Sequence, residues 1–191
     1  MMWLEMLVVA LLALELTDSP FLVSVTFFLR FLPMIFGFGI GVIAERINRK
    51  TLMIVGLAVQ ATVSAVLAAL IMTAAIEYWH LAVGSFFIGA VMASEFPVRR
   101  TMIGEVVLRN SVGRAMSLEQ TTNSLFRIIG PFIGGVFLAT MGAQGGFLLG
   151  VVLYLVGLII VLSLKYTRPE MSTTPAGPTN QIIEGIQYIR K

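Results

Sequence analysis

The stretch Gly41-Val42-Ile43-Ala44-Glu45-Arg46-Ile47-Asn48-Arg49-Lys50 places four charged residues between two long apolar runs. The run before it, Pro20 to Ile40, contains Arg30 as its only charge, and the run after it, Thr51 to Ile76, contains none. A membrane-spanning helix needs about 20 predominantly apolar residues, and each run is long enough. We therefore predict that the stretch is a short basic hairpin between two transmembrane helices.

The composition of the whole chain also indicates a membrane protein. Of its 191 residues, 58% are hydrophobic and 12% are charged, and the mean hydropathy is +0.94. Soluble domains carry about 25% charged residues, so this composition does not supply a water-facing surface. The apolar runs are continuous, which is typical of helices and not of the alternating strands of an outer-membrane barrel. The predicted fold is an all-α integral membrane protein embedded in the lipid bilayer.

Cysteine and histidine usage narrows the possible chemistry. The chain has no cysteine and a single histidine, His80, so the sequence offers no disulfide, thiolate metal site or histidine cluster. It also shows no pairing of a nucleophile with a base, and we predict no metal, no cofactor and no enzymatic activity. The net charge of +3 does not indicate nucleic-acid binding, because the basic residues lie mostly at the ends of apolar runs.

Six transmembrane helices are predicted from the apolar runs. Their approximate bounds are 2–17, 20–44, 51–75, 79–97, 113–140 and 147–164. The first is about 23 Å long at 1.5 Å per residue, which is short of a ~30 Å hydrocarbon core, so we interpret it as truncated. We expect Pro20 to open the second helix, residues 101–112 to form a polar, partly helical loop, and residues 141–146 to form a turn.

Two regions follow from these bounds. Residues 1–164 are expected to form the six-helix bundle. Residues 165–191 are expected to form a cytoplasmic linker, whose last residues have the apolar spacing of an amphipathic helix.

The basic residues predict the orientation of the bundle. Two of the 13 Lys and Arg residues, Arg30 and Arg127, lie inside apolar runs. The other 11 fall in three groups, around the connection of helices two and three, around the connection of helices four and five, and in the tail: Arg46 to Lys50, Arg99 to Arg114, and Lys165 to Lys191. Cytoplasmic loops of membrane proteins carry an excess of Lys and Arg, so we predict that these three segments are cytoplasmic.

Arg30 lies in the middle of the second predicted helix. At 100° per residue it shares a face of about 80° with Pro33, Gly37 and Gly41, and the last two let another helix approach closely. A charge at the bilayer centre costs at least ~2.5 kcal/mol. Two interpretations remain: Arg30 faces a functional cavity, or it makes a structural ion pair or extends to the outer interface.

A polar stripe follows the fifth predicted helix. By the same angular count its members are Glu119, Asn123, Arg127, Gly130 and Gly134. We interpret the stripe as the lining of an interior cavity, because the alternative, a solvated face, would lie against lipid. Pro131 is expected to kink the helix, and Gly134-Gly135 is expected to allow another close helix contact.

Other polar residues leave alternatives open. Glu95 and Arg99 are four residues apart, and either they form a salt bridge at the helix end or Glu95 takes up a proton. Glu5 either faces the cavity or lies near a helix N-terminus, where the helix dipole favours it. We expect Gln60 to make a packing hydrogen bond and His80 to lie in an outer loop without a role.

Residues 41–50 resemble a signature of the major facilitator superfamily, G-x-L-A-D-R-x-G-R-K, found between its second and third helices. The residues that carry the resemblance are Gly41, Glu45, Arg46, Asn48, Arg49 and Lys50. Glu45 replaces the usual Asp and keeps its charge. Asn48 replaces the usual Gly, and Asn tolerates the left-handed backbone conformation.

The resemblance implies roles for these residues. Glu45 and Arg46 would help to hold the cytoplasmic face closed, and the local partners of Glu45 would be Arg99 and Arg100. The side chains of Arg49 and Lys50 would hold the hairpin at the lipid head groups.

Further stretches resemble the branch of this superfamily that contains siderophore and macrolide exporters, the transmembrane secretion effectors. They are Leu16-Thr17-Asp18-Ser19-Pro20, Arg30-Phe31-Leu32-Pro33, Arg127-Ile128-Ile129-Gly130-Pro131-Phe132-Ile133-Gly134-Gly135 and Glu184-Gly185-Ile186-Gln187-Tyr188-Ile189-Arg190. The antiporter signature of drug exporters has another glycine four residues before its Gly-Pro pair. This chain has Phe126 at that position.

The resemblance implies a fold of twelve helices, in which two six-helix halves surround a cavity that opens alternately to each side. This chain would be the N-terminal half, and Gly130-Pro131 with Gly134-Gly135 would shape its face against the C-terminal half. The implied function is proton-coupled efflux of small amphipathic molecules, of drug or siderophore type, across a bacterial inner membrane. The alternative is a non-transporting protein of the same fold, such as an assembly or regulatory factor or an inert remnant.

Overall fold

The computed structural model describes residues 2–35, 48–107 and 109–164, and these residues form helices without any strand. The helices are α1 (Met2–Thr17), α2 (Pro20–Ile35), α3 (Arg49–Met72), α4 (Tyr78–Val106) and α5 (Val112–Ser163), with a 3-10 turn at Arg109–Ser111 before α5. The all-α prediction is confirmed. Pro20 is the first residue of α2, as expected for a residue whose fixed φ suits the first helical position.

Helix α5 consists of two segments that meet at Gly142. The backbone leaves the helical conformation inside α5 only at this residue, where φ is 71° and ψ is −171°. The bend lies within the turn that the sequence predicted over residues 141–146, but it needs one residue and not six. With α5 counted as one element, the described residues form five helices, so they do not show six separate membrane-spanning helices.

Helix α4 continues beyond its predicted end at Pro97. It runs to Val106, and most of the expected loop over residues 101–112 is helical. Pro97 is accommodated inside the helix, and the Thr101 hydroxyl donates a 2.9 Å hydrogen bond to its carbonyl oxygen. His80 is also helical and not in a loop. Its Nδ1 accepts a 3.1 Å hydrogen bond from the Glu77 backbone N–H, which caps the start of α4.

Three helices, α3, α4 and α5, are long and apolar enough to cross a membrane. Helices α1 and α2 each have 16 described residues. Large apolar side chains cover the outside of the bundle, among them Phe21, Phe28, Val55, Phe87, Ile128, Phe132, Val152 and Ile159, each at least half exposed. An apolar surface of this extent requires an apolar solvent. The chain is therefore a multi-pass membrane protein.

Helix α1 lies at the centre of the bundle, packed against α5 and also against α2 and α4. Its buried apolar residues are Leu4, Val8, Val9, Leu12 and Ala13, and the residues that join them in the core are Leu67, Ala68, Leu81 and Phe147. A helix that is apolar on all sides is expected to be buried. The central position of α1 matters for function because it carries Glu5 into the interior.

Candidate functional site

Glu5 is fully buried and is the centre of a polar network in the apolar core. Its Oε2 lies 3.4 Å from Nη2 of Arg30 and accepts a 2.7 Å hydrogen bond from the Tyr154 hydroxyl. Its Oε1 accepts a 3.0 Å hydrogen bond from the Ser64 hydroxyl. We call these four residues the Glu5 cluster. They come from α1, α2, α3 and α5, so the cluster joins four helices.

The Glu5 cluster lies at the middle depth of the bundle. Counted at 1.5 Å per residue, its members are about 12–18 Å from the end where α1, α3 and the first segment of α5 finish and α2 begins. Half of a ~30 Å hydrocarbon core is about 15 Å. Charged groups at this depth cost several kcal/mol unless they are paired, and intramembrane charges usually serve function.

Arg30 is 1% exposed, in agreement with the prediction that its stripe faces the interior; Pro33 of that stripe is also buried. Only one of its three guanidinium nitrogens contacts Glu5. The other two, Nε and Nη1, are buried without a hydrogen-bond partner among the described residues. A buried hydrogen-bond donor without an acceptor destabilises the fold. The surroundings of Arg30 therefore satisfy only part of its hydrogen-bonding capacity.

Helices α2 and α4 approach very closely beside Arg30. A Cβ atom placed on Gly89 would lie 1.8 Å from the Arg30 carbonyl oxygen, so the two backbones are in direct contact there. Nearer the start of α2, the Tyr78 hydroxyl donates a 3.0 Å hydrogen bond to the Leu22 carbonyl oxygen. The Thr26 hydroxyl donates a 3.3 Å hydrogen bond to the Tyr78 hydroxyl oxygen. These contacts fix the direction from which Arg30 reaches Glu5.

The polar stripe of the fifth predicted helix does not act as one surface. Glu119, at its start, reaches α4, where its carboxylate oxygens lie 3.4 Å from Nε of Arg99 and 3.8 Å from Nε of Arg100. Arg127 turns to α1, and its guanidinium carbon lies 4.8 Å from the centre of the Trp3 ring. Asn123, between them, is half-buried.

The glycines of that stripe were expected to face a second half of the protein. Gly130 and Gly134 pack instead against α1 of the same bundle. A Cβ on Gly130 would lie 3.3 Å from Cβ of Trp3, and one on Gly134 would lie 3.0 Å from Cγ of Leu4. The small residues allow the close helix contact that the sequence predicted, but the partner is α1. A Cβ on Gly135 would also face α1, at 3.9 Å from Cδ2 of Leu7.

Glu95 is paired at the end of the bundle that carries Arg99 and Arg100. Its Oε1 lies 3.9 Å from Nη1 of Arg99, and its Oε2 accepts a 3.3 Å hydrogen bond from the Gln60 side chain. Both Glu95 and Glu119 therefore connect to Arg99, and through Gln60 the network reaches α3. Arg99 is 41% exposed, so this network is in part open to the surroundings.

Most of the signature over residues 41–50 lies outside the described residues, namely Gly41, Glu45 and Arg46, as does Gly37 before it. Asn48 does not use the left-handed conformation: its φ is −63°, and its side chain caps α3 by accepting a 3.0 Å bond from the Lys50 backbone N–H. An extended backbone at this position suits a helix N-cap.

Arg49 and Lys50 contact protein, whereas the resemblance implied contact with lipid head groups. The Arg49 guanidinium forms an ion pair with Glu105 near the end of α4. The Lys50 ammonium donates hydrogen bonds of 2.9 and 2.7 Å to the carbonyls of Leu162 and Leu164. Terminal carbonyls of a helix lack partners within the helix, so Lys50 caps the end of α5 and ties it to α3.

Sequence reasoning missed two members of the Glu5 cluster and left a third open. Glu5 stood out as a charge in an apolar run, but its position next to Arg30 could not be read from spacing. Ser64 and Tyr154 resemble many other hydroxyl residues of the apolar runs, and nothing local distinguishes them. Their role comes from packing between helices that lie up to 149 residues apart in the chain.

Comparison with known proteins agrees with this architecture. The family model of the Major Facilitator Superfamily matches residues 1–191 of the chain. No curated protein matches the chain. The family consists of membrane transporters, which in general are not enzymes. Since the family model covers the whole chain and the described residues form an apolar helical bundle, the chain belongs to the major facilitator superfamily and acts in membrane transport.

Proposed function

We propose that the protein exports small amphipathic molecules, of drug or siderophore type, by alternating access, and that protons drive the export through Glu5. The observation that carries the proposal is the complete burial of the Glu5 carboxylate at middle depth, 3.4 Å from Arg30. A carboxylate that can gain and lose a proton there can change the charge of the core during transport.

The charge balance of the pair explains how protonation would act. With Glu5 ionised, the pair with Arg30 is neutral, and the apolar core tolerates it. When Glu5 takes a proton, Arg30 keeps its positive charge, because a guanidinium does not lose its proton in proteins. The buried cation then has no anion at hand. A conformation that brings water or another anion to Arg30 becomes favoured.

The hydroxyl groups of the cluster serve both protonation states. Ser64 and Tyr154 donate to the ionised carboxylate, and each hydroxyl oxygen can also accept a hydrogen bond from the protonated acid. Because the four residues come from four helices, a change at Glu5 acts on the packing of α1 against α2, α3 and α5. This link between one proton and helix packing is what an alternating-access cycle requires.

We further propose that this bundle works with a second six-helix bundle, as the N-terminal half of a twelve-helix transporter in a bacterial inner membrane. The exposed polar residues of α5, Arg127 foremost, support it, since such groups do not face lipid in a stable protein. The basic residues are concentrated at the start of α3, at the end of α4 and the start of α5, and in residues 165–191. This distribution supports a cytoplasmic position for that side of the protein.

The test is proton-driven uptake of the uncharged amphipathic dye Nile red into inside-out membrane vesicles that contain the complete transporter. An acidic vesicle interior should drive uptake by the wild type, and Glu5→Gln should reduce it to background. Glu15→Gln, the same change at an exposed position of α1, should leave it intact. Undiminished uptake by Glu5→Gln would show that Glu5 does not couple protons to transport. Wild-type uptake that is independent of the proton gradient would show that transport is not coupled to protons.

A further inference from the structure

We infer that Arg127 and Trp3 form a subsite that binds an anionic group of the transported molecule. The inference rests on the proposed function and adds a charge preference to it. It starts from one contact: the Arg127 guanidinium carbon lies 4.8 Å from the centre of the Trp3 ring. Attraction to an aromatic ring holds the cation in place, while its in-plane N–H donors stay available for a carboxylate or a similar oxyanion.

These donors have no acceptor in the described part of the chain. No hydrogen bond or ion pair joins Arg127 to another described residue, and Nε1 of Trp3 is buried without an acceptor as well. Asn123, one turn before Arg127 and half-buried, likewise makes no side-chain hydrogen bond with a described residue. Three polar side chains that lack partners therefore meet at one place on α1 and α5.

Among the described residues, no acid lies close enough to Arg127 to balance its positive charge. Glu119 is the acid of the same stripe, and its two oxygens are directed to Arg99 and Arg100. Glu5 is two residues after Trp3, which places it about 200° around α1, where Arg30 holds it. The subsite therefore carries a net positive charge, which selects anions over cations.

The subsite is rigid and lies far from the lipid head groups. Gly130 and Gly134 bring α5 against Trp3 and Leu4, so the position of the pair is fixed by close helix packing. Arg127 is 15 residues from Val112 and 15 from Gly142, or about 22 Å from either end of the first segment of α5. A head-group phosphate is out of reach at this depth, and the anion must be brought by a molecule that crosses the bilayer region.

An apolar surface adjoins the charge. Arg127 is exposed, and its sequence neighbours Phe126 and Ile128 are 51% and 76% exposed. A ligand that places an oxyanion on Arg127 can lay an apolar body along either Phe126 or Ile128, which lie about 100° to either side of Arg127 on the helix. The class of ligand that fits is an amphipathic anion, in which a carboxylate or related oxyanion is attached to an apolar or aromatic group.

The experiment compares three probes with the same aromatic body and different charge: 9-anthracenecarboxylate, 9-anthracenecarboxamide and 9-anthracenemethylammonium. Residues 1–191 contain two tryptophans. In the complete transporter reconstituted into lipid nanodiscs, Trp79→Phe together with Phe at every tryptophan outside residues 1–191 leaves Trp3 as the sole donor for energy transfer to anthracene. We expect the carboxylate to bind about tenfold more tightly than the carboxamide, as one charge-assisted hydrogen bond would give. The ammonium probe should bind more weakly than both.

Two variants test whether Arg127 causes the preference for the carboxylate probe. Arg127→Gln should abolish the advantage of the carboxylate, while Arg114→Gln, the same change at the exposed start of α5, should keep it. Empty nanodiscs correct for probe that enters the lipid. Equal binding of the three probes to the Trp79→Phe protein would overturn the subsite, and this comparison stands even if Arg127→Gln does not fold.

The comparison separates this inference from the proposed function. Binding is measured without a proton gradient, so loss of the carboxylate preference with proton-driven transport intact rejects the subsite alone. Conversely, transport that does not depend on Glu5 leaves the binding comparison unaffected.

Discussion

The Tyr154 hydroxyl donates a 2.7 Å hydrogen bond to Oε2 of Glu5, and so joins the second segment of α5 to the central helix α1. The same oxygen lies 3.4 Å from Arg30. Tyr154 thus contacts the carboxylate oxygen that faces the guanidinium, and the two donors share the charge of one atom. Like the Ser64 hydroxyl, the Tyr154 hydroxyl can be removed from the Glu5 cluster without changing any formal charge.

Replacing Tyr154 by Phe should destabilise the protein by about 1.5–3 kcal/mol, the contribution typical of a hydrogen bond to a charged group. The measurement is the melting temperature of the purified protein in detergent. Ser163→Ala is the control, because it removes an exposed hydroxyl that bonds the Ile159 carbonyl within its own turn. A melting temperature for Tyr154→Phe equal to that of the control would mean that the bond contributes nothing to folding.

Glu5 and Arg30 should behave as one unit in a double-mutant cycle. Glu5→Gln or Arg30→Gln alone leaves a buried charge without its partner, which typically costs about 3–5 kcal/mol. The double variant carries no buried charge in the cluster and should lose clearly less than the sum of the two single losses. The melting temperatures of the wild type, the two single variants and the double variant measure these losses of stability. Additive losses would show that the 3.4 Å pair is not an energetic contact.

Much of this architecture follows from local features of the chain. Continuous apolar runs require helices in a bilayer. Arg30 and Pro33, which share one face by spacing, are both buried, and Gly130 and Gly134 lie at a close helix contact. Such features can be read from the sequence because helical periodicity is a property of one segment and does not depend on its neighbours.

The parts that were missed depend on which helix lies beside which. Gly130 packs against α1, and nothing in the spacing of glycines identifies this partner. The depth of Glu5 is set by the central position of α1, a property of the whole bundle. The helix end predicted at Pro97 was wrong for a different reason: proline can be tolerated inside a membrane helix, so this residue type does not by itself mark a helix end. The turn predicted over residues 141–146 contains the observed bend, which is shorter because one glycine can make it.

Gly89→Ala should separate α2 from α4. The new Cβ would lie 1.8 Å from the Arg30 carbonyl oxygen, and a backbone atom cannot rotate away as a flexible side chain can. We expect a large fall in melting temperature and a loss of proton-driven transport, because Arg30 moves with its backbone. Gly104→Ala is the matched control on α4: nothing lies within 4 Å of its Cβ, and alanine favours the helix. Equal behaviour of the two variants would contradict the close approach.

Glu119→Gln should loosen the contact between α4 and α5 without unfolding the protein. Arg99 and Arg100 are 41% and 47% exposed, and exposed ion pairs contribute about 0–1 kcal/mol, so the melting temperature should change little. Because the chain has no cysteine, a cysteine introduced as Ser111→Cys reports opening of this end through its rate of maleimide labelling. We expect faster labelling in Glu119→Gln than in Glu15→Gln. Equal rates would show that the ion pairs do not hold this end closed.

Gly142→Ala tests the bend inside α5. With φ at 71° and ψ at −171°, Gly142 lies in a backbone region that is essentially restricted to glycine, and a side chain there costs about 1–3 kcal/mol. A Cβ at Gly142 would meet nothing within 4 Å, so the expected loss of stability comes from the backbone alone and not from a clash. Gly113→Ala is the matched control, since Gly113 is also free of contacts but has an ordinary helical backbone, and alanine should be neutral or stabilising there. A lower melting temperature for Gly142→Ala, with no fall for Gly113→Ala, is the expected result. If both variants melt with the wild type, α5 is able to pass from its first segment to its second without the left-handed glycine, and the bend has another cause.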